Sequence, residues 1–226
     1  MLNQIIHADC MDIFPSVKDQ GVDLIVTDIP YGAVTKNGSD RAKYDGQLRK
    51  VDKGDADLVT FDLIEFLEQC ARVTSGSIYI FCGIEQVSTV FQFFDNHKDF
   101  MVRQCAWKKT NPAPSNGQHM WLSSMENCIF AKRRKTKFNQ LCKSAVWDYP
   151  TGRSKIHPTE KPLELIKYLV QSSTDEGDTV FDPCVGSGTT AVAAKVLGRN
   201  YIAIEINAEY ATAAINRIEQ LELSLF

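Results

Sequence analysis

Two short segments of this chain carry residue types that could do chemistry together. The first is Asp28-Ile29-Pro30-Tyr31, which follows the apolar, β-branched run Val22-Asp23-Leu24-Ile25-Val26-Thr27. A carboxylate at the end of a buried strand suits an amino group attached to an aromatic ring. Such a nitrogen is a poor nucleophile because its lone pair is delocalised. Two acceptors holding its two N–H bonds draw it towards tetrahedral geometry and free the lone pair to attack an electrophilic carbon. Asp28 supplies a charged acceptor. The Ile29 carbonyl supplies the second, since Pro30 restricts the residue before it to extended backbone. Tyr31 offers a ring face for stacking on a planar aromatic substrate.

The second segment is Asp182-Pro183-Cys184-Val185-Gly186-Ser187-Gly188-Thr189-Thr190, followed by the strand Tyr201–Glu205. Strand, Gly186-x-Gly188-x-x-Ala191, helix, strand and acidic residue is the plan of a nucleotide-binding β-α-β unit, with Glu205 placed for ribose hydroxyls. The spacing alone fits a nicotinamide dinucleotide as well as S-adenosylmethionine. Asp182 before the glycines favours a ligand with a free ammonium over a pyrophosphate. The chain also shows no machinery for hydride transfer; the Gly186/Gly188/Ala191 spacing alone keeps an NAD-dependent oxidoreductase as the alternative reading.

Both segments need strands to present them. Apolar strand runs at 5–8, 22–27, 77–82, 102–107, 127–131, 179–182 and 201–205 alternate with helical spacing at 58–73, 85–97, from Pro162, 189–197 and 208–221. This alternation predicts an α/β fold with a doubly wound, mostly parallel sheet. The 226 residues suffice for one domain, 1–226. Residues 33–57 are polar and read as a mobile loop, and 111–155 as a short insert for target recognition. No window has the ~20 apolar residues of a membrane span, and the start of the chain lacks signal-peptide character, so a cytoplasmic protein is expected. Seven scattered cysteines with no C-x-x-C pair and four dispersed histidines argue against disulfides and a metal centre.

Net charge is −3, yet its distribution is uneven. Residues 1–100 carry 9 Lys/Arg against 16 Asp/Glu, residues 101–161 carry 12 against 3, and residues 162–226 carry 4 against 9. A basic middle between acidic flanks predicts a polyanion-binding face. Lys132, Arg133, Arg134, Lys135 and Lys137 hold much of that surplus and are expected to neutralise phosphates.

These residues carry a resemblance. Asp28–Tyr31 resembles the Asp-Pro-Pro-Tyr motif of amino-methylating DNA methyltransferases. Phe181–Thr190 looks like that family's cofactor motif, and His157-Pro158-Thr159-Glu160-Lys161-Pro162 is similar to the segment that precedes it. Trp107–Pro114, with Lys108 and Asn111, is similar to a segment lying near the target base. The reaction motif comes first, which is the order of the β class, a circular permutation of a Rossmann-like fold.

The resemblance implies transfer of a methyl group from S-adenosylmethionine to adenine N6 in double-stranded DNA, with cytosine N4 as the alternative target. It implies that Asp182, Pro183, Cys184, the Gly186–Thr190 turn and Glu205 hold the cofactor, with Asp9 and Cys10 beside its adenine. His157, Pro158 and Thr159 would close the same pocket. A homodimer and a cognate restriction enzyme are the further partners it brings into question. Two positions depart from the pattern: Ile29 replaces the first proline, which lowers local rigidity, and Glu126-Asn127 stands where relatives often have His-Glu. The Ile29 departure leaves room for a third reading, a DNA-binding module without catalysis. Pro183-Cys184 resembles the Pro-Cys nucleophile of cytosine-C5 enzymes, but its place in the cofactor turn argues against that role.

Overall fold

The computed structural model describes residues 1–31, 61–114, 117–152 and 160–224. The loop expected at 33–57 lies outside these residues, as do the expected pocket residues His157, Pro158 and Thr159.

The strands are β1 (Gln4–His7), β2 (Val22–Asp28), β3 (Thr74–Cys82), β4 (Phe100–Lys109), β5 (Met125–Arg133), β6 (Val146–Tyr149), β7 (Thr179–Asp182) and β8 (Asn200–Glu205). The helices are α1 (Cys10–Ile13), α2 (Leu63–Val73), α3 (Val87–Asn96), α4 (Leu163–Ser173), α5 (Thr189–Val196) and α6 (Ala208–Ser224). All eight strands form one sheet in the order β1-β8-β7-β2-β3-β5-β4-β6. Pairing is parallel from β1 through β3 and again between β4 and β6, while β5 runs antiparallel to both its neighbours.

Successive residues of a strand face opposite sides, and β2 shows what that demands. Ile25 packs into a cluster with Phe66, Phe94 and Phe181, whereas Leu24 and Val26 pack into another with Leu165, Ala193 and Ile218. Helices α2 and α3 therefore cover one face and α4, α5 and α6 the other. A strand buried on both faces reads as a continuous apolar run, which is why β2 was visible in the sequence.

Helix starts follow their local chemistry. Asp62 caps α2 by accepting from the backbone N–H groups of Ile64 and Glu65. The expected helix at 58–73 accordingly begins at Leu63 among the described residues. Pro162 precedes α4, and Gly198, at φ +73°, ends α5. The strand β6 was not anticipated. Two strands within 111–155, β5 and β6, are hydrogen-bonded members of the sheet.

Candidate active site

The connection from β2 leads through α2 to β3 on one side, and that from β7 leads through α5 to β8 on the other. Because β2 and β7 are neighbours, the winding reverses between them. Open α/β sheets bind ligands beyond the carboxyl ends of the strands at such a switch point. Asp28 ends β2, Asp182 ends β7, Glu205 ends β8, and Asp9 follows β1. All four line one open cleft.

The cofactor half of the cleft is built on the β7–α5 turn. Asp182 is buried, and its Oδ1 accepts the Cys184 N–H at 3.0 Å. Burial pushes its carboxyl up to about 7, against the pull of the Thr190 hydroxyl and the Cys184 N–H; Asp28 nearby pushes the same way as burial. Gly186, at φ +53°, donates its N–H to Glu205 Oε2 at 2.8 Å, and Asn207 N–H donates to Oε1 at 2.9 Å. The carboxylate is thus held at a fixed angle with lone pairs left for a ligand. Ser187, Thr189 and Thr190 line the cleft at the start of α5, with Pro183, Cys184 and Gly186.

Gly188 has a different place. It takes φ +83° ahead of α5 and does not line the cleft; a Cβ there would stand 2.9 Å from Ala214 Cβ on α6. It was expected to touch cofactor, but its evident work is to let α6 approach the turn. On β1's side Asp9 accepts the Met11 N–H at 2.9 Å, and Cys10 is buried beside it. A hydrogen bond with Cys10, and then burial, hold the Cys184 thiol well above its usual range. A thiol so held is a poor nucleophile.

The reaction half is pinned from three directions. Ile29 is buried and its N–H donates to Phe81 O at 3.1 Å. Proline could not make that bond, so the isoleucine gains an anchor where the sequence suggested lost rigidity. Gln86 donates to Pro30 O at 2.8 Å and accepts from Gly83 N–H at 2.9 Å, tying the motif to the end of β3. Asp28 Oδ2 accepts from Lys161 Nζ. Asp28 Oδ1 is buried and has no hydrogen-bond partner among the described residues.

Lys161 was not assigned a role from the sequence. It is 6% exposed and also pairs with Glu126 Oε2 at 3.1 Å, while Glu126 Oε1 pairs with Lys109 at 2.7 Å. Its Nζ lies 5.7 Å from the Tyr31 ring centroid and 5.2 Å from that of Phe81. The Tyr31 hydroxyl donates to Glu126 at 3.4 Å. Burial works against the Lys161 ammonium, yet Asp28 and Glu126 outweigh it and its pKa is raised. For Asp28 burial wins over Lys161, so its carboxyl titrates above the ordinary range.

Glu160, Asn207 and Tyr210 also line the cleft without having been predicted. Glu160 accepts from Thr189 Oγ1 at 3.2 Å and pairs with Arg217 at 2.9 Å; Arg217 also donates to Ser187 O at 3.1 Å. These contacts brace the cofactor turn from α6. The motif run His157–Pro162 was the one signal that could have pointed to Glu160 and Lys161.

The expected phosphate contacts separate into two groups. Lys108 and Asn111 stand at the carboxyl end of β4, the same end as Asp28; Lys108 pairs with Asp148 at 2.9 Å, and Asn111 Oδ1 accepts the Thr151 N–H at 2.6 Å. The basic run is not joined to the cleft. β5 is antiparallel to β3, so Lys132 pairs with Ser77 near the start of that strand, at the opposite end of the sheet. There Arg133 donates to Thr74 O and Ala71 O at 2.7 Å, capping α2. Arg134 donates to Lys98 O at 2.9 Å, and Lys137 pairs with Asp175. Lys132 is buried, and Lys135 follows at φ +69°. Charge counted along the sequence could not show that these side chains satisfy backbone carbonyls and surface carboxylates.

Among the described residues no group of three or more His, Cys, Asp or Glu could hold a metal ion, and no helix is long and apolar enough to cross a membrane.

Comparison with known proteins agrees with this geometry. Residues 22–216 match the family model for DNA methylases of the N6/N4 type. The type II methyltransferase M2.DpnII of Streptococcus pneumoniae is 30% identical over 95% of this chain and 89% of its own. M.HinfI of Haemophilus influenzae is 28% identical over 98% of this chain and 69% of its own. The solved M1.HpyAVI–SAM complex superposes with a TM-score of 0.72 at 30% identity, covering 95% of this chain and 98% of that one. The cytosine-N4-specific PvuII DNA methyltransferase shares the fold, with a TM-score of 0.72 at 15% identity over 95% of this chain and 85% of that one. With its cleft at the switch point and its match across residues 22–216, this chain belongs to the DNA methylase family, whose members methylate DNA from S-adenosylmethionine.

Proposed function

We propose that the enzyme methylates adenine N6 of double-stranded DNA after the base leaves the helix, with Asp28 as the residue that engages the amino group. The observation carrying this reading is Asp28 Oδ1, a buried carboxylate oxygen with no hydrogen-bond partner among the described residues, on a residue lining the same cleft as the cofactor turn. A buried acceptor left unmatched costs about 1–3 kcal/mol, and an arriving N–H donor would relieve that cost.

The residues fit S-adenosylmethionine. Asp182 faces the cleft as the partner for the ammonium of its methionine end, Glu205 for the ribose hydroxyls, and Asp9 and Cys10 for the adenine side. When bound, the cofactor supplies a methyl group on a sulfonium. Asp28 Oδ1 and the Ile29 carbonyl hold the two N–H bonds of the target amine. As nitrogen gains carbon it must shed one proton, and Asp28 is the acceptor already bonded to it. The Tyr31 ring stacks on the extruded base.

DNA would lie across the carboxyl end of the sheet, where Lys108 and Asn111 stand. The arm between β4 and β5 rises from that end with Met120 66% and Trp121 96% exposed. Exposed apolar side chains at a DNA-facing rim suit insertion into the gap a flipped base leaves. The Lys132–Lys137 run takes no part in this face. A homodimer, a cognate restriction enzyme and residence in the cytoplasm accompany this reading as further proposals, motivated by the type II relatives.

The test replaces Asp28. Asp28→Asn should abolish transfer of labelled methyl groups to unmodified genomic DNA while cofactor affinity stays within about threefold. Retained transfer would remove Asp28 from its role.

A further inference from the structure

The backbone of the reaction motif is anchored at Ile29 and Pro30, but the Asp28 carboxylate needs a cation to stay charged, because its side chain is mostly enclosed and acidic groups surround it. Glu126 on β5 acts on it directly, Asp182 on β7 feels its charge, and the Tyr31 phenol lies beside it. Cys82 on β3 and Cys128 on β5 also feel Asp28 and are held as thiols. Lys161 is the cation that faces it. That ammonium has three protons and three oxygen neighbours: Asp28 Oδ2, Glu126 Oε2 at 3.1 Å and the Tyr31 hydroxyl at 3.4 Å. It therefore touches both ends of the motif at once. Glu126 is in turn fixed by Lys109 at 2.7 Å and receives the Tyr31 hydroxyl at 3.4 Å.

We propose that Lys161, clamped by Glu126 and Lys109, is the positioning residue that keeps Asp28 ionised with Oδ2 occupied and Oδ1 free, and that sets the Tyr31 ring. The inference rests on the amino-methylation reading above.

Charge arithmetic supports the arrangement. Two carboxylates share one buried ammonium, so Asp28 and Glu126 compete for Lys161. Lys109 resolves the competition by satisfying the other Glu126 oxygen. Lys161, and after it Lys109, lower Glu126 below its ordinary range although burial alone would raise it, and Asp28 is the member of the pair nearer to titration. Removing Lys161 leaves Asp28 in a mostly enclosed site without a counter-charge, a situation that favours the neutral acid. Neutralising Glu126 instead gives Asp28 sole claim to Lys161 and favours the carboxylate. The two changes act in opposite directions.

The test measures kcat against pH for the full-length enzyme on unmodified genomic DNA, with cofactor affinity measured in parallel. Lys161→Met should lower kcat roughly 100-fold at neutral pH, with cofactor affinity within threefold. Its acid limb should move to higher pH, so the loss shrinks as pH rises. Glu126→Gln should move the acid limb to lower pH. Propylammonium should restore part of the activity of Lys161→Ala in proportion to its concentration. As a readout independent of turnover, carboxyl carbon-13 NMR of Asp28, assigned by its disappearance in Asp28→Asn, should titrate higher in Lys161→Met and lower in Glu126→Gln than in the wild type. If Lys161→Met fails to fold, Glu126→Gln decides by the same shift. Acid limbs and an Asp28 titration that do not move would overturn the clamp. A wild-type enzyme that leaves no methylated amino base would overturn the reaction reading instead, and the NMR titration would still judge the clamp.

Discussion

Asp182 should make cofactor binding depend on pH in a way that identifies the end of the ligand it meets. The carboxyl is pushed up to about 7, far above an unburied aspartate, because burial penalises its charge. Only the ionised form attracts an ammonium, so the apparent Kd is the intrinsic Kd divided by the ionised fraction. At pH 6 about a tenth of Asp182 is ionised and at pH 7.5 about three quarters, which predicts affinity roughly eightfold tighter at the higher pH. The direction follows from the ligand pulling the proton off: binding at pH 6 should release nearly one proton. Isothermal titration in two buffers of different ionisation enthalpy reads both quantities. 5′-Methylthioadenosine, which lacks the methionine end, should bind without this pH dependence, and Asp182→Asn should flatten it for S-adenosylmethionine. Equal pH dependence for both ligands, or a flat profile for S-adenosylmethionine, would refute the placement of the ammonium at Asp182.

Gly188→Ala should cost about 1–2 kcal/mol from its left-handed backbone, with more from the 2.9 Å approach to Ala214. Gly177→Ala shares the strain at φ +85° but meets open space, so its fall in Tm should be the smaller of the two; equal losses would deny the α6 contact its importance. Trp121→Ala should weaken DNA binding about 5- to 100-fold, the range for one lost base stack, with Tm and cofactor affinity unchanged. Fluorescence anisotropy would detect an unaltered Kd, which would remove Trp121 from the DNA face. The double replacement of Lys135 and Lys137 by Ala should leave the slope of log affinity against log salt unaltered; a slope shallower by about 0.9 per residue would return them to the phosphate backbone.

How far the sequence reached depended on the range of the interaction being read. Strand β2 and the Gly186–Thr190 turn were legible because burial on both faces and positive φ write themselves into neighbouring residues. The order of the two motifs located the cleft, since strand ends flanking a winding reversal converge. Contacts between distant segments leave no such trace. Lys161 meets Asp28 across 133 positions, and Glu126 meets Tyr31 across 95; nothing local announces either pair. Glu126 even lost weight in the sequence reading because it departs from a familiar pattern, whereas the fold sets it at the centre of the clamp. Strand β6 escaped notice because Val-Trp-Asp-Tyr is short and lies at the sheet's edge. The Lys132–Lys137 run shows a related limit: composition records charge, while its place depends on which end of an antiparallel strand carries it. Ile29 shows the reverse case, a departure that looked like lost rigidity and proved to add a hydrogen bond to Phe81.

The most direct test of the central claim is the identity of the mark. Unmodified genomic DNA treated with the enzyme and isotopically labelled S-adenosylmethionine would be digested to nucleosides and weighed. The account predicts label in N6-methyladenine, absent with Asp28→Asn. Label confined to N4-methylcytosine would contradict the choice of base, and an absence of label in any amino-methylated nucleoside would contradict the reaction itself.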